Sequence, residues 1–136
     1  MKKLLSINYS DTAFNAGTFL LRAVFGLLMC LDHGFGKLTN FNELQQTFSD
    51  PFHIGHRWSL VLCIFAEVFA SMLLVLGLFS RIAALILVID MATALFFVHS
   101  GQPLKQMEPA LIFLSGFLFI LLAGPGKFSV DGMAGK

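Results

Sequence analysis

Residues 58–99, WSLVLCIFAEVFASMLLVLGLFSRIAALILVIDMATALFFVH, hold two apolar runs separated by Ser80 and Arg81 alone. Each run has the roughly 20 residues that a helix rising about 1.5 Å per residue needs to cross about 30 Å of hydrocarbon. Apolar side chains occupy nearly every side of both runs, unlike the alternating segments of a barrel strand, so both read as helices. So short a link makes them antiparallel neighbours.

Working outward, Ala13–His33 precedes this hairpin and Glu108–Ala123 follows it, each another apolar run. With Trp58–Phe79 and Ile82–His99 they predict an all-α integral membrane four-transmembrane-helix bundle, a single domain over residues 1–136. Composition agrees: 57% of residues are hydrophobic and 12% charged. Soluble domains carry about 25% charged residues, so this chain has too little polar surface for water and its partner is the lipid bilayer. A net charge of +1 with no basic run excludes a nucleic-acid surface.

The loop between the first two spans, residues 34–57, places Phe41, Leu44 and Phe48 at helical spacing, which predicts a short amphipathic helix over the mouth of the bundle. Gly101, Gln102 and Pro103 break the chain before the fourth span, and Gly124-Pro125-Gly126 ends it. Lys2, Lys3, Arg81, Lys127 and Lys136 fall on one side of the membrane, against Lys37, Arg57 and Lys105 on the other. The excess puts both termini in the cytoplasm. Met-Lys-Lys resembles the start of a signal peptide, but a polar segment intervenes and no small-x-small cleavage site follows, so the first span reads as retained. The bacterial inner membrane is the expected location.

The informative residues are the polar ones inside these spans. A charge at the bilayer centre costs about 2.5–3.5 kcal/mol on insertion scales, so such groups pair with one another or line a cavity. Helical rise puts Arg22 about 13 Å, Asp90 about 12 Å and Glu67 about 16 Å from the inner edge. One cation and two carboxylates are therefore expected in one layer, where the Arg fork grips one acid and the other shares the Arg or holds a proton. That layer serves either as an ion-pair network fixing helix order or as a proton or ligand site.

Arg22, Gly26, Met29 and His33 form one helical stripe, which Lys37 extends only if the helix runs on through Gly34 and Gly36. Glu67 shares a face with Cys63 and Ser71, and Glu108 with Ser115. Asp90 and His99, nine residues apart, fall on opposite sides of a regular helix. Asp32, His33, Lys37, His99 and Glu108 gather toward the outer end, either as interfacial caps or as a polar mouth for a quinone or other amphipathic ligand. His33, His99 and Glu108 lack the spacing that specifies a metal, and none is expected. Cys30 and Cys63 reach similar depths, about 24 and 22 Å, and read as small apolar fillers or a redox pair. His53 and His56 read as solvated loop residues, and no phosphate loop, dinucleotide fingerprint or nucleophile elbow is present.

Several stretches resemble the DoxX family of small four-helix membrane proteins. They are Leu21-Arg22 through Gly26 to His33-Gly34-Phe35-Gly36-Lys37-Leu38, Ala66-Glu67 through Leu76-Gly77-Leu78-Phe79-Ser80-Arg81-Ile82-Ala83-Ala84, Asp90-Met91 to His99, and Glu108 through Gly124-Pro125-Gly126-Lys127-Phe128-Ser129-Val130-Asp131. The resemblance covers nearly all the chain after residue 17 and implies a polar core of Arg22, His33, Lys37, Glu67, His99 and Glu108. Asp90 departs from the Asn that looks commoner there, which adds a second acid. The family takes its name from a subunit associated with a thiosulfate:quinone oxidoreductase and terminal oxidase system.

The resemblance thus implies an oxidoreductase subunit whose electron transfer needs a bound quinone or partner subunits. In that reading Glu67 and His33 handle protons and Arg22 steadies developing charge, with Lys37, Asp90, His99 and Glu108 around the quinone. The alternatives are a non-enzymatic binder or transporter of an amphipathic solute, and an assembly subunit. A homo-oligomer with a site at its interface is also consistent with so small a bundle.

Overall fold

The computed structural model describes residues 2–135; Met1 and Lys136, the latter one of the basic residues behind the expected orientation, lie outside them. Four of its helices are long and apolar enough to cross a membrane: α1 (Asp11–Thr39), α3 (His56–Leu76), α4 (Ser80–Val98) and α5 (Leu104–Ala123). Two one-turn helices accompany them, α2 (Phe41–Leu44) in the first loop and α6 (Val130–Met133) in the tail. At most a third of each span's most apolar window is buried within the protein, so most of its Leu, Ile and Phe surface faces outward. In water this would be untenable, whereas in lipid it is the ordinary state of a spanning helix. The chain is a multi-pass membrane protein.

Helix α1 begins where Ser10 Oγ accepts a hydrogen bond from Ala13 N at 3.1 Å. It does not stop at His33 but continues to Thr39, opening into a π-helical turn over Met29–Gly34. Its glycines set the packing. A Cβ on Gly26 would lie 3.1 Å from Ser71 O, and one on Gly34 would lie 2.8 Å from the Glu67 carbonyl carbon, so α1 lies close against the α3 backbone, with Val75 and Val68 packed over the two glycines. Phe25 fills the matching space over Gly116 of α5. The core that results includes Met29, Leu74, Leu87, Phe117 and Ile120, all fully buried.

Helix α3 ends at Leu76 rather than Phe79, because Gly77 takes a left-handed conformation with φ 73°. Helix α5 starts at Leu104, four residues before the expected Glu108, with Pro103 supplying the extended residue at its start. The expected amphipathic helix in the first loop is a single turn; Phe41, Leu44 and Phe48 are nonetheless half-buried while Asn42, Glu43 and Gln46 face out.

The two ends of the bundle differ. At the end bearing both termini, the tail after Gly124 folds back under the helices. Arg22, 1% exposed, donates from Nη1 to Pro125 O at 2.5 Å and from Nη2 to Phe128 O at 2.7 Å. Asp131 accepts from Phe79 N at 3.0 Å and Ser80 N at 2.8 Å, which caps α4 from outside its own sequence. Asn15 Oδ1 accepts from Lys127 N at 2.8 Å, and Arg81 Nη1 donates to Leu121 O at 3.0 Å. At the opposite end the first loop closes over a space between the helices.

Candidate functional site

That space is a cavity of about 670 Å³ between α1, α3, α4, α5 and the first loop. Its walls are apolar: Phe65 and Leu62 from α3, Ile86 and Ile89 from α4, Phe113 from α5, and Phe48 and Phe52 from the loop. Phe52 reaches across to Phe97 of α4, with ring centroids 5.5 Å apart. Leu62, Phe65 and Ile89 of this wall keep about half their surface exposed.

Its polar groups converge from three helices. Lys37 Nζ donates to Glu67 Oε2 at 2.7 Å, and the Glu67 side chain is 4% exposed against 24% for Lys37. Cys63 Sγ, a Glu67 carboxylate oxygen and an Asp90 carboxylate oxygen all lie within 4.8 Å of one another. His33 stands edge-on to Phe113, ring centroids 5.3 Å apart, and its Nε2 is 3.9 Å from the exposed Asp32 carboxylate. His99 lines the cavity nearer the loops, its Nδ1 2.8 Å from Gln102 Oε1.

Breaks in helical regularity bring these groups together. His33 lies in the π-helical turn Met29–Gly34, Glu67 in another over Phe65–Ala70, and a third, Ala94–Val98, separates Asp90 from His99. Each wide turn takes up an extra residue and rotates the next stretch of helix back around the axis. Asp90 and His99, opposite in a regular helix, therefore line one cavity. Helix α1 runs on through Gly34 and Gly36, and this continuation delivers Lys37 to Glu67. Ser71 Oγ donates to the Glu67 carbonyl oxygen within the second wide turn.

The expected layer of Arg22, Glu67 and Asp90 does not form. Depth along the axis groups Glu67 with Asp90 correctly, but the Arg22 side chain extends the other way, into the tail carbonyls, with Asp131 as the carboxylate acting on it. The long side chain reaches groups that depth alone does not reveal. The cation beside Glu67 is Lys37. The expected outer cluster also divides: His33, Lys37 and His99 line the cavity, whereas Glu108 is exposed on α5 and stands outside its lining. Cys30 and Cys63 are both free thiols, and Cys63 alone lines the cavity.

Ser59, Gln106 and the ring of Phe113 also line the cavity, and nothing in the sequence singles them out. Cys63 does have a signal, in the face it shares with Glu67 four residues away. The first loop is held by Asp50, which accepts from Ile54 N at 3.0 Å, Gly55 N at 2.8 Å and Ser59 Oγ at 2.8 Å. Partial desolvation pushes its carboxyl up, but these three bonds and nearby His56 outweigh that and hold it below the usual carboxylate range.

Among known proteins, the chain is 38% identical over 72 residues to a protein of Haemophilus influenzae (strain ATCC 51907 / DSM 11121 / KW20 / Rd) described only as uncharacterized; the match takes in 48% of this chain and 54% of that protein. The chain thus spans about half the length of the curated relative it matches. No solved structure matches it significantly. The DoxX family model matches residues 17–100, more than half the chain, taking in α1, α3 and α4 with nearly all of the polar groups described above. This protein belongs to the DoxX family.

Proposed function

We propose that the cavity binds a lipid-soluble molecule with a polar head, a quinone above all, and that the protein serves as a membrane subunit of an oxidoreductase complex. The observation that carries this reading is the combination of apolar walls with one ion-paired polar floor, Lys37 and Glu67 beside Asp90 and Cys63. A volume of about 670 Å³ sits within the roughly 300–1,000 Å³ of small-molecule sites, and a few converging polar groups are what orients a mainly apolar ligand. In this reading a molecule dissolved in the bilayer enters past the half-exposed Leu62, Phe65 and Ile89 of the α3 and α4 wall.

In this reading Lys37 and Glu67 hold the head group, and His33, with its ring on Phe113 and an edge toward Asp32, exchanges protons at the mouth. Arg22 takes no part, because its donors serve the tail. Drawing Lys37 into the cavity leaves Arg57 and Lys105 as the basic residues of the loop end, which favours a bacterial inner-membrane protein with both termini in the cytoplasm.

The test is extraction and titration. Protein purified in native-lipid nanodiscs should carry quinone on solvent extraction, and the emptied protein should bind added quinone saturably. Glu67→Gln and Lys37→Met should each weaken that binding at least tenfold. Absence of both extracted and titratable quinone would end the proposal.

A further inference from the structure

The floor of the cavity holds one cation and two carboxyl groups. Glu67 is met by Lys37, but Asp90 Oδ2 is buried with no hydrogen-bond partner among the described residues. The thiol of Cys63 beside it is a weak donor, and Lys37 gives its bond to Glu67. A buried acceptor left unpaired costs free energy that a ligand can recover by donating to it. Asp90 lines the cavity, and a turn about its soft carboxyl torsion would bring this oxygen to face it.

Head groups differ in what they offer at this floor. A carboxylate adds a third negative charge where there is one cation. A carbonyl only accepts; it takes one of the two remaining Lys37 N–H groups and leaves the Oδ2 of an ionised Asp90 as it was. A hydroxyl accepts from Lys37 and donates to Asp90, satisfying both. We propose that the ligand bears a hydroxyl that donates to Asp90, and so, resting on the cavity reading above, that the reduced, hydroxyl-bearing form of a quinone is held in preference to the oxidised form.

Full-length protein in nanodiscs, kept anaerobic, would be titrated with decylubiquinol and separately with decylubiquinone, using quenching of Trp58, the only tryptophan. The wild type should hold the quinol at least about fivefold more tightly, the least that pairing one buried acceptor provides. Asp90→Asn, which places an amide donor there and keeps the shape, should level or reverse the preference, with a thermal melt confirming that the variant is folded. Equal or tighter binding of the quinone by the wild type overturns the inference while leaving the cavity reading intact. A quinol preference that survives Asp90→Asn overturns the role of Asp90. Saturable binding of neither form overturns the cavity reading and this inference with it.

Discussion

Both ends of the bundle bury charge, yet they use it in opposite ways. At the termini end Arg22 and Asp131 are engaged by backbone groups of segments far away in sequence: the tail carbonyls for one, the α3–α4 turn for the other. At the loop end Lys37 and Glu67 engage each other, and Asp90, which lines the cavity, keeps a buried oxygen unpaired. A charge locked onto backbone makes structure, whereas a charge paired only with another side chain beside a cavity is free to be re-paired by a ligand. Buried ions alone do not mark a site; how they are satisfied does.

Arg22→Leu puts this contrast under the greatest load. It leaves Pro125 O, Phe128 O and Asp131 without the guanidinium, and stability should fall by about 3–5 kcal/mol, the range for breaking a buried ionic contact from one side. Denaturant titration in mixed micelles reads the loss, and ligand affinity of the folded fraction should not change. A variant that keeps its stability and loses the ligand would move Arg22 to the other group.

Next in size is the pair at the cavity floor. Lys37→Met and Glu67→Gln should each destabilise, with a coupling of about 1–3 kcal/mol in a double-mutant cycle. The double variant, neutral on both sides, should recover most of the stability while failing to bind. Recovery of binding as well would mean that the pair is as structural as Arg22.

Asp131→Ala removes the cap on α4 and should cost about 1–2 kcal/mol, seen as faster amide exchange at Phe79 and Ser80 with no change at the cavity. The smallest effect belongs to Asp50. Its folded carboxyl lies below the usual range, so its contribution is present above the unfolded value near pH 4 and is lost as pH falls through the folded one. Trp58 emission should report an acid transition of the loop in the wild type that Asp50→Asn lacks; the same transition in both would assign it elsewhere.

The spans are legible because each is a long apolar run, and the Ser80-Arg81 link because nothing else separates two of them. Glu67 and Asp90 are found by depth, since rise along a helix is nearly constant. Facing is harder to read. Angular position depends on about 100° per residue holding throughout, and three wide turns break it, so His99 lies where a regular helix does not put it, while Lys37 is reached only because α1 runs on past two glycines. Arg22 escapes for another reason: its partners are main-chain oxygens in a tail that reads as a terminator, and carbonyls have no signature in sequence.

The fold-back of that tail bears on how the protein is made. Pro125, Phe128 and Asp131 leave the ribosome after all four spans, yet they complete contacts on the first of them and on the turn joining the second and third. Because synthesis runs from the N-terminus, α1 enters the bilayer with an Arg22 that has no tail to hold, and the hairpin waits with its cap unmade. The last step of assembly is therefore a docking event from the aqueous side, and a chain cut after Ala123 would hold every span and still fail to close.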